Sequence, residues 1–248
     1  MLFGIDRAAR FLADAVSYVI ASVGLVFVRG NLRNRSKPPS ETLWQATTTG
    51  LRWVWRHPLI RAAILLITVS NLVFQILVLT LVVLAQRQGA TSTTIGMMLG
   101  IYSGGGLIGA LAASTLHRRF RPKTVIVGVN WIWAALLPLF ALTPNPLLIG
   151  AIGAACPFVG PLWNLMITTY ATVLVPNELL GRVTSAAMTL SSGVMPVASL
   201  GAGYLLTGVG PIGSICVLTT VMLVTAIASS VSPAVRHAPP LPAHDETA

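Results

Sequence analysis

The sequence predicts an all-α membrane protein, a polytopic helical bundle of about seven transmembrane helices. Three observations lead there. The 248 residues are 54% hydrophobic and only 9% charged, with a mean hydropathy of +0.80, whereas a soluble domain carries about 25% charged residues. The apolar residues gather into runs long enough for a bilayer core, which takes about 20 residues per helix. The runs are 11–28, 62–85, 95–116, 124–142, 147–172, 184–207 and 211–231. The basic residues stand in short strings between those runs, the pattern of a chain that crosses a membrane repeatedly. The pI of 11.1 therefore points to a lipid-embedded protein and not to a nucleic-acid partner. A soluble enzyme or a disordered chain would need far more polar surface. No stretch alternates in polarity as the strands of a membrane barrel do.

Taken in order, the first run, 11–28, follows Arg7 and Arg10 and so resembles a leader peptide. It reads as a span because it holds 18 residues, contains Asp14 and is followed by no A-x-A cleavage site. Residues 1–28 thus form a first transmembrane helix. Residues 29–61 form a basic cytoplasmic connection. Its first part, 29–40, is a solvated linker. Its second, Glu41–His57, is a helix with Leu43, Thr47, Leu51, Val54 and Trp55 on one face and Arg52 and Arg56 on another. Trp44, Trp53 and Trp55 suit the headgroup level, so this helix lies on the inner leaflet. Residues 62–231 form a six-helix bundle with short connections at 86–94, 143–146 and 208–210, among them the tight turn Thr143-Pro144-Asn145-Pro146. The proline-rich tail 232–248 reads as disordered.

Thirteen of the sixteen basic residues fall on the side of the 29–61 connection, against Arg7, Arg10 and Arg87 on the other. That bias puts the connection and the C-terminus in the cytoplasm and the N-terminus outside. Two lysines among sixteen basic residues match a GC-rich bacterial genome, and hence an inner membrane. An external Met1 with no leader reads as a chain that begins part-way through a larger architecture.

The polar and conformationally special residues inside the spans are the functional candidates. Gly96, Gly100 and Gly104, and Gly105 and Gly109, are spaced by four, which lets another backbone approach. They serve either static packing or a helix that rocks. Pro157, Pro161 and Pro196 free backbone groups and bend their helices. Asn71 and Gln75 share one helical face, as do Asn164 and Thr168. With Tyr102, Asn130, Trp131 and Trp133 they make either interhelical hydrogen bonds or the lining of a cavity for a large amphipathic solute. Asp14 is the only acid in a span and the candidate to carry a coupling proton. Glu178 and Arg182, four apart, form either a surface ion pair or a gating contact. No lysine lies in any span, all four histidines lie in loops or the tail, and no phosphate-binding G-x-x-x-x-G-K-[ST] pattern occurs. Cys156 and Cys216 sit in apolar runs and form neither a disulfide framework nor a zinc site. No cofactor, no metal and no enzymatic chemistry follow from this sequence.

Several segments resemble the major facilitator superfamily, in particular its drug- and siderophore-exporter branch. Phe11–Tyr18 is similar to the sixth helix of that branch. Gly50-Leu51-Arg52-Trp53-Val54-Trp55-Arg56-His57-Pro58-Leu59-Ile60-Arg61 is similar to its approach to the seventh helix. Gly109–Val125, with Arg118, Arg119, Arg121 and Lys123, resembles the basic loop between helices eight and nine, and Val175–Val183 the loop between ten and eleven. Where the eight–nine loop usually carries an acid near its start, this chain reads Leu116-His117-Arg118-Arg119. The resemblance covers about residues 4–235. It implies the C-terminal half of a twelve-helix fold plus the preceding helix, and proton-coupled efflux of a hydrophobic or amphipathic small molecule. The partner is then a separate N-terminal half or a second copy. The alternative is a half-transporter that acts only as a membrane-embedded interaction partner or remnant.

Overall fold

The computed structural model describes residues 15–24, 43–120 and 122–236. The chain divides into two units, Met1–Glu41 and Thr42–Ala248. In the first, helix α1 spans Ala15–Gly24, roughly 15 Å at 1.5 Å per residue. The remainder of the expected first span, including Asp14, the linker up to residue 42 and the tail from 237 lie outside the described residues.

The second unit is wholly helical among its described residues. It comprises α2 (Leu43–Arg56), α3 (Pro58–Arg87), α4 (Ser92–Arg119), α5 (Pro122–Leu142), α6 (Pro146–Gly153), α7 (Ala155–Leu174), α8 (Asn177–Ser192), α9 (Met195–Gly208), α10 (Gly210–Val231) and α11 (Pro233–Arg236). Among the described residues, six stretches are long and apolar enough to cross a membrane, the pairs α6–α7 and α8–α9 each counting as one. With α1 as a shorter seventh apolar helix, this is the all-α polytopic bundle the composition predicts.

Local chemistry sets the ends of these helices. Pro58 and Pro146 occupy first-turn positions, where a missing N–H is harmless. Thr91 caps α4 by accepting from the Thr94 N–H at 3.3 Å, and Asn145 caps α6 by accepting from the Leu147 N–H at 2.9 Å. Gly89 and Gly210 take the left-handed backbone conformation, φ +79° and +71°, at the α3–α4 and α9–α10 turns. The chain from 173 to 183 reads as a loop by polarity, yet α8 already begins at Asn177, behind Pro176. Leu179, Leu180 and Val183 explain the difference, since they pack with Val54 of α2 and Ile60 and Ile64 of α3.

Two spans are broken, and one rule accounts for both. A proline ring collides with the carbonyl four residues earlier and offers it no N–H. Pro157 therefore strands the carbonyl of Gly153, where α6 ends, and Pro196 strands that of Ser192, where α8 ends. Pro138 and Pro161 sit inside continuous helices. The difference is a glycine at each break, Gly153 and Gly193, which costs about 1 kcal/mol of helix propensity relative to alanine.

Packing centres on α3, which touches α2, α4, α7, α8, α9, α10 and α11. Its Val73, Ile76, Leu77 and Leu81 are buried with Leu137 and Phe140 of α5 and Leu218 and Met222 of α10. A smaller cluster of α2, α3, α7 and α8 residues, including Val54, Ile60, Tyr170 and Val183, closes the arginine-rich end. There Gly50 of α2 lies against the Arg182 backbone, whose carbonyl carbon is 2.8 Å from where a Cβ would stand.

The two glycine strings of α4 lie on different faces. Gly105 sits on the Ala154 carbonyl and Gly109 on the Phe158 carbonyl, so this face is the backbone-to-backbone seam with α6–α7, reinforced by Gly150 against the Met98 carbonyl at 2.7 Å. Gly96, Gly100 and Gly104 face open space, with nothing within 4 Å of a Cβ. Gly105→Leu or Gly109→Leu should therefore destabilise the fold by about 1–3 kcal/mol through overpacking. Gly100→Ala and Gly104→Ala should leave the thermal midpoint in detergent unchanged or raised, which fluorescence-detected unfolding of the purified protein checks.

Candidate functional site

A cavity of about 240 Å³ opens between α3, α4, α5 and α7 beside the α6–α7 break. Its walls include Asn71 and Phe74 from α3, Tyr102 from α4, Trp133 from α5, and Cys156, Pro157, Gly160, Trp163 and Asn164 from α7. No charged side chain lines it.

The walls are held by aromatic contacts and one buried hydrogen bond. Trp133 sits edge-on to Phe74 at 4.8 Å and to Trp163 at 6.4 Å between ring centroids. Its indole N–H donates to the Cys156 carbonyl at 3.0 Å, tying α5 to the first turn of α7. The absence of a Cβ at Gly153 gives room to the Tyr102 ring, whose Cδ2 is 2.8 Å from that position. Pro157 thus shapes the wall twice: it lines the cavity, and it ends α6 where Gly153 admits the tyrosine.

The second break is gripped from α3. Asn71 donates from Nδ2 to the Ser191 carbonyl at 2.8 Å, in the last turn of α8. One turn on, Gln75 donates from Nε2 to Ser199 Oγ at 3.2 Å, beyond the break on α9. The last carbonyls of any helix lack intrahelical donors, and in hydrocarbon they must find others. The Asn71/Gln75 pair thus spans the break, and Asn71 serves the cavity wall as well.

The remaining candidates are dispersed. Asn130 is fully buried and donates to the Ile126 carbonyl of its own helix at 2.7 Å, while its Oδ1 has no hydrogen-bond partner among the described residues. Trp131 is 43% exposed on the outer face of α5, where its indole bonds Ser230 of α10 at 2.9 Å. Gln75 and Thr168 do not line the cavity, and Thr168 is exposed. Pro161 continues α7, and Pro196 lies beyond the second break. Glu178 and Arg182 stand one turn apart at the start of α8, where an acid suits the positive helix end. Arg119 is exposed at the end of α4. The side chain of Arg118 and all of Asp14 lie outside the described residues.

Sequence reasoning missed Phe74, Cys156, Gly160 and Trp163 as cavity residues. Phe74 and Trp163 are one position from Gln75 and Asn164, and a search for polar groups passes over them. Trp163 leaves its indole N–H buried without a partner among the described residues. Among the described residues no group of three His, Cys, Asp or Glu side chains comes together that could hold a metal.

The family model of the Major Facilitator Superfamily matches residues 7–199. No curated protein and no solved structure shows significant similarity to the chain.

Removing the Asn71 amide leaves a helix-end carbonyl without its donor, a loss of about 1–3 kcal/mol. Asn71→Ala should therefore lower the unfolding midpoint in micelles clearly. Gln75→Ala breaks a longer, exposed bond and should cost less than about 1 kcal/mol. Denaturant titration of the two variants side by side reads the difference.

Proposed function

This chain belongs to the Major Facilitator Superfamily and is a multi-pass membrane protein, a secondary transporter of that type; from that premise we propose that it exports a hydrophobic or amphipathic small molecule across a bacterial inner membrane, with its C-terminus cytoplasmic, against a proton gradient. The observation that carries the reading of the solute is the lining of the cavity. Phe74, Tyr102, Trp133 and Trp163 offer aromatic surface, Asn71 and Asn164 offer amides, and no charge lies among them. Such a lining suits a solute that is largely apolar and hydrogen-bonds at a few points. The broken helices beside it supply bends about which the wall can move.

Asp14 is the proton carrier in this reading, because it is the only acid within an apolar run of the sequence. The second wall of the transport path comes from a separate N-terminal half or a second copy. Burial supports this. The spans Ser92–His117 and Asn177–Gly208 have 17% of their apolar window buried, against 33–44% for the other four. These two spans also present the open glycines of α4 and the exposed Leu200 and Tyr204 of α9.

The test is uptake of a lipophilic fluorescent dye into everted vesicles, with the chain alone and with an N-terminal half co-expressed. Dye movement should follow an imposed pH gradient and stop on adding a protonophore. Asp14→Asn should abolish coupling. Trp163→Ala and Asn164→Ala should raise the half-saturating dye concentration and leave the proton dependence intact. Absence of gradient-driven flux across a broad dye panel, with both arrangements, defeats the proposal.

A further inference from the structure

At the end of the bundle away from the arginine-rich connection, three turns converge on a second concavity of about 400 Å³. It is bounded by Arg87 and Gln88 at the end of α3, by Leu142 at the end of α5, and by Val209, Gly210 and Ile212 at the start of α10. It has no residue in common with the transport cavity.

Its electrostatics are one-sided. Arg87 is the only basic residue at this end among the described residues, and no ion pair or hydrogen bond of its guanidinium is seen there. The only acid among the described residues is Glu178, in the first turn of α8 at the opposite end. The guanidinium has a defined place. Its Nη1 lies 3.4 Å from where a Cβ on Gly210 would stand, in van der Waals reach of the α9–α10 turn. The rim is fixed by Gln88, whose Nε2 donates to the Thr143 carbonyl at 3.0 Å and joins the end of α3 to the α5–α6 turn. The rest of the mouth is oily: Leu142, Val209 and Ile212 are 79%, 54% and 55% exposed.

A guanidinium presents a planar fork of donors that fits phosphate or carboxylate. Set in an apolar mouth at the level where a bundle meets the membrane surface, it matches a ligand with an anionic head on an apolar tail. We infer that this cleft binds the anionic head of such an amphiphile through Arg87, independently of transport. The head is that of an anionic phospholipid in the adjacent leaflet or of a free anionic amphiphile, and the chemistry of capture is the same.

The experiment uses the purified chain in nanodiscs and follows its thermal midpoint by tryptophan fluorescence. In phosphatidylcholine discs, dodecyl phosphate should raise the midpoint saturably. Arg87→Gln should weaken the apparent affinity by roughly tenfold or more, and Arg87→Lys should restore part of it. Ile212→Glu, which sets a carboxylate beside the guanidinium on an exposed position, should abolish the response even if Arg87→Gln folds poorly. In phosphatidylglycerol discs the wild type should start higher and respond no further if lipid supplies the head. If it starts level and still responds to dodecyl phosphate, the ligand is the free amphiphile. No rise in either disc, or a rise that Arg87→Gln and Ile212→Glu leave unchanged, overturns the inference.

Discussion

Every backbone N–H and C=O within the hydrocarbon must be satisfied by protein, because lipid offers no partner. The rest of this architecture depends on that constraint. It makes the chain helical, and it gives the two prolines at the breaks their effect. Each silences a donor four residues after a glycine or its neighbour, at Gly153 and Ser192, and the helix parts there. The amide of Asn71 reaches from α3 to the Ser191 carbonyl beside the second break. The Trp133 indole reaches from α5 to the Cys156 carbonyl just past the first. Polar side chains are few in these spans, and both of these bond to backbone near a break.

This division of labour explains why α3 is the hub. It is the longest helix, 30 residues, continuous throughout, and it touches both arms of the α8–α9 pair. The broken pair α6–α7 is held differently, by close backbone approach along the Gly105/Gly109 seam of α4. One kinked span is thus clamped by hydrogen bonds and the other by glycine contact. The aromatic cavity lies beside the second of these, and two of its wall residues, Asn71 and Trp133, are themselves bonded to backbone near a break.

Much of this was legible in the chain itself. Six of the expected spans coincide with six apolar helical stretches, because length and hydropathy alone decide whether a segment prefers lipid. The Thr143–Pro146 turn was legible from its prolines. The positions of the breaks are readable too, once the proline is taken to act four residues upstream and a glycine is required there. The facing of the side chains was not. Trp131 and Trp133 are adjacent but one in the sequence and stand on opposite sides of α5, one 43% and the other 4% exposed. In a helix apolar all round, no moment tells which side meets lipid. The start of α8 was hidden because Asn177, Glu178 and Arg182 look like loop, and the leucines between them find partners in α2 and α3, more than a hundred residues away. The cavity residues Phe74 and Trp163 carry no sequence signal that separates them from other buried aromatics.

The contact of Gly50 with the Arg182 backbone has a mechanical consequence. α8 is a rod of 16 residues, roughly 24 Å long, held beside the Gly193 joint by the Asn71 bond to the Ser191 carbonyl and met by α2 at Arg182, in its other half. A rod of that length tilting by about five degrees displaces its tip by roughly 2 Å. With no side chains between the two backbones to absorb such a movement, α2 must follow it. α2 thereby becomes the output arm of a lever whose fulcrum sits mid-span.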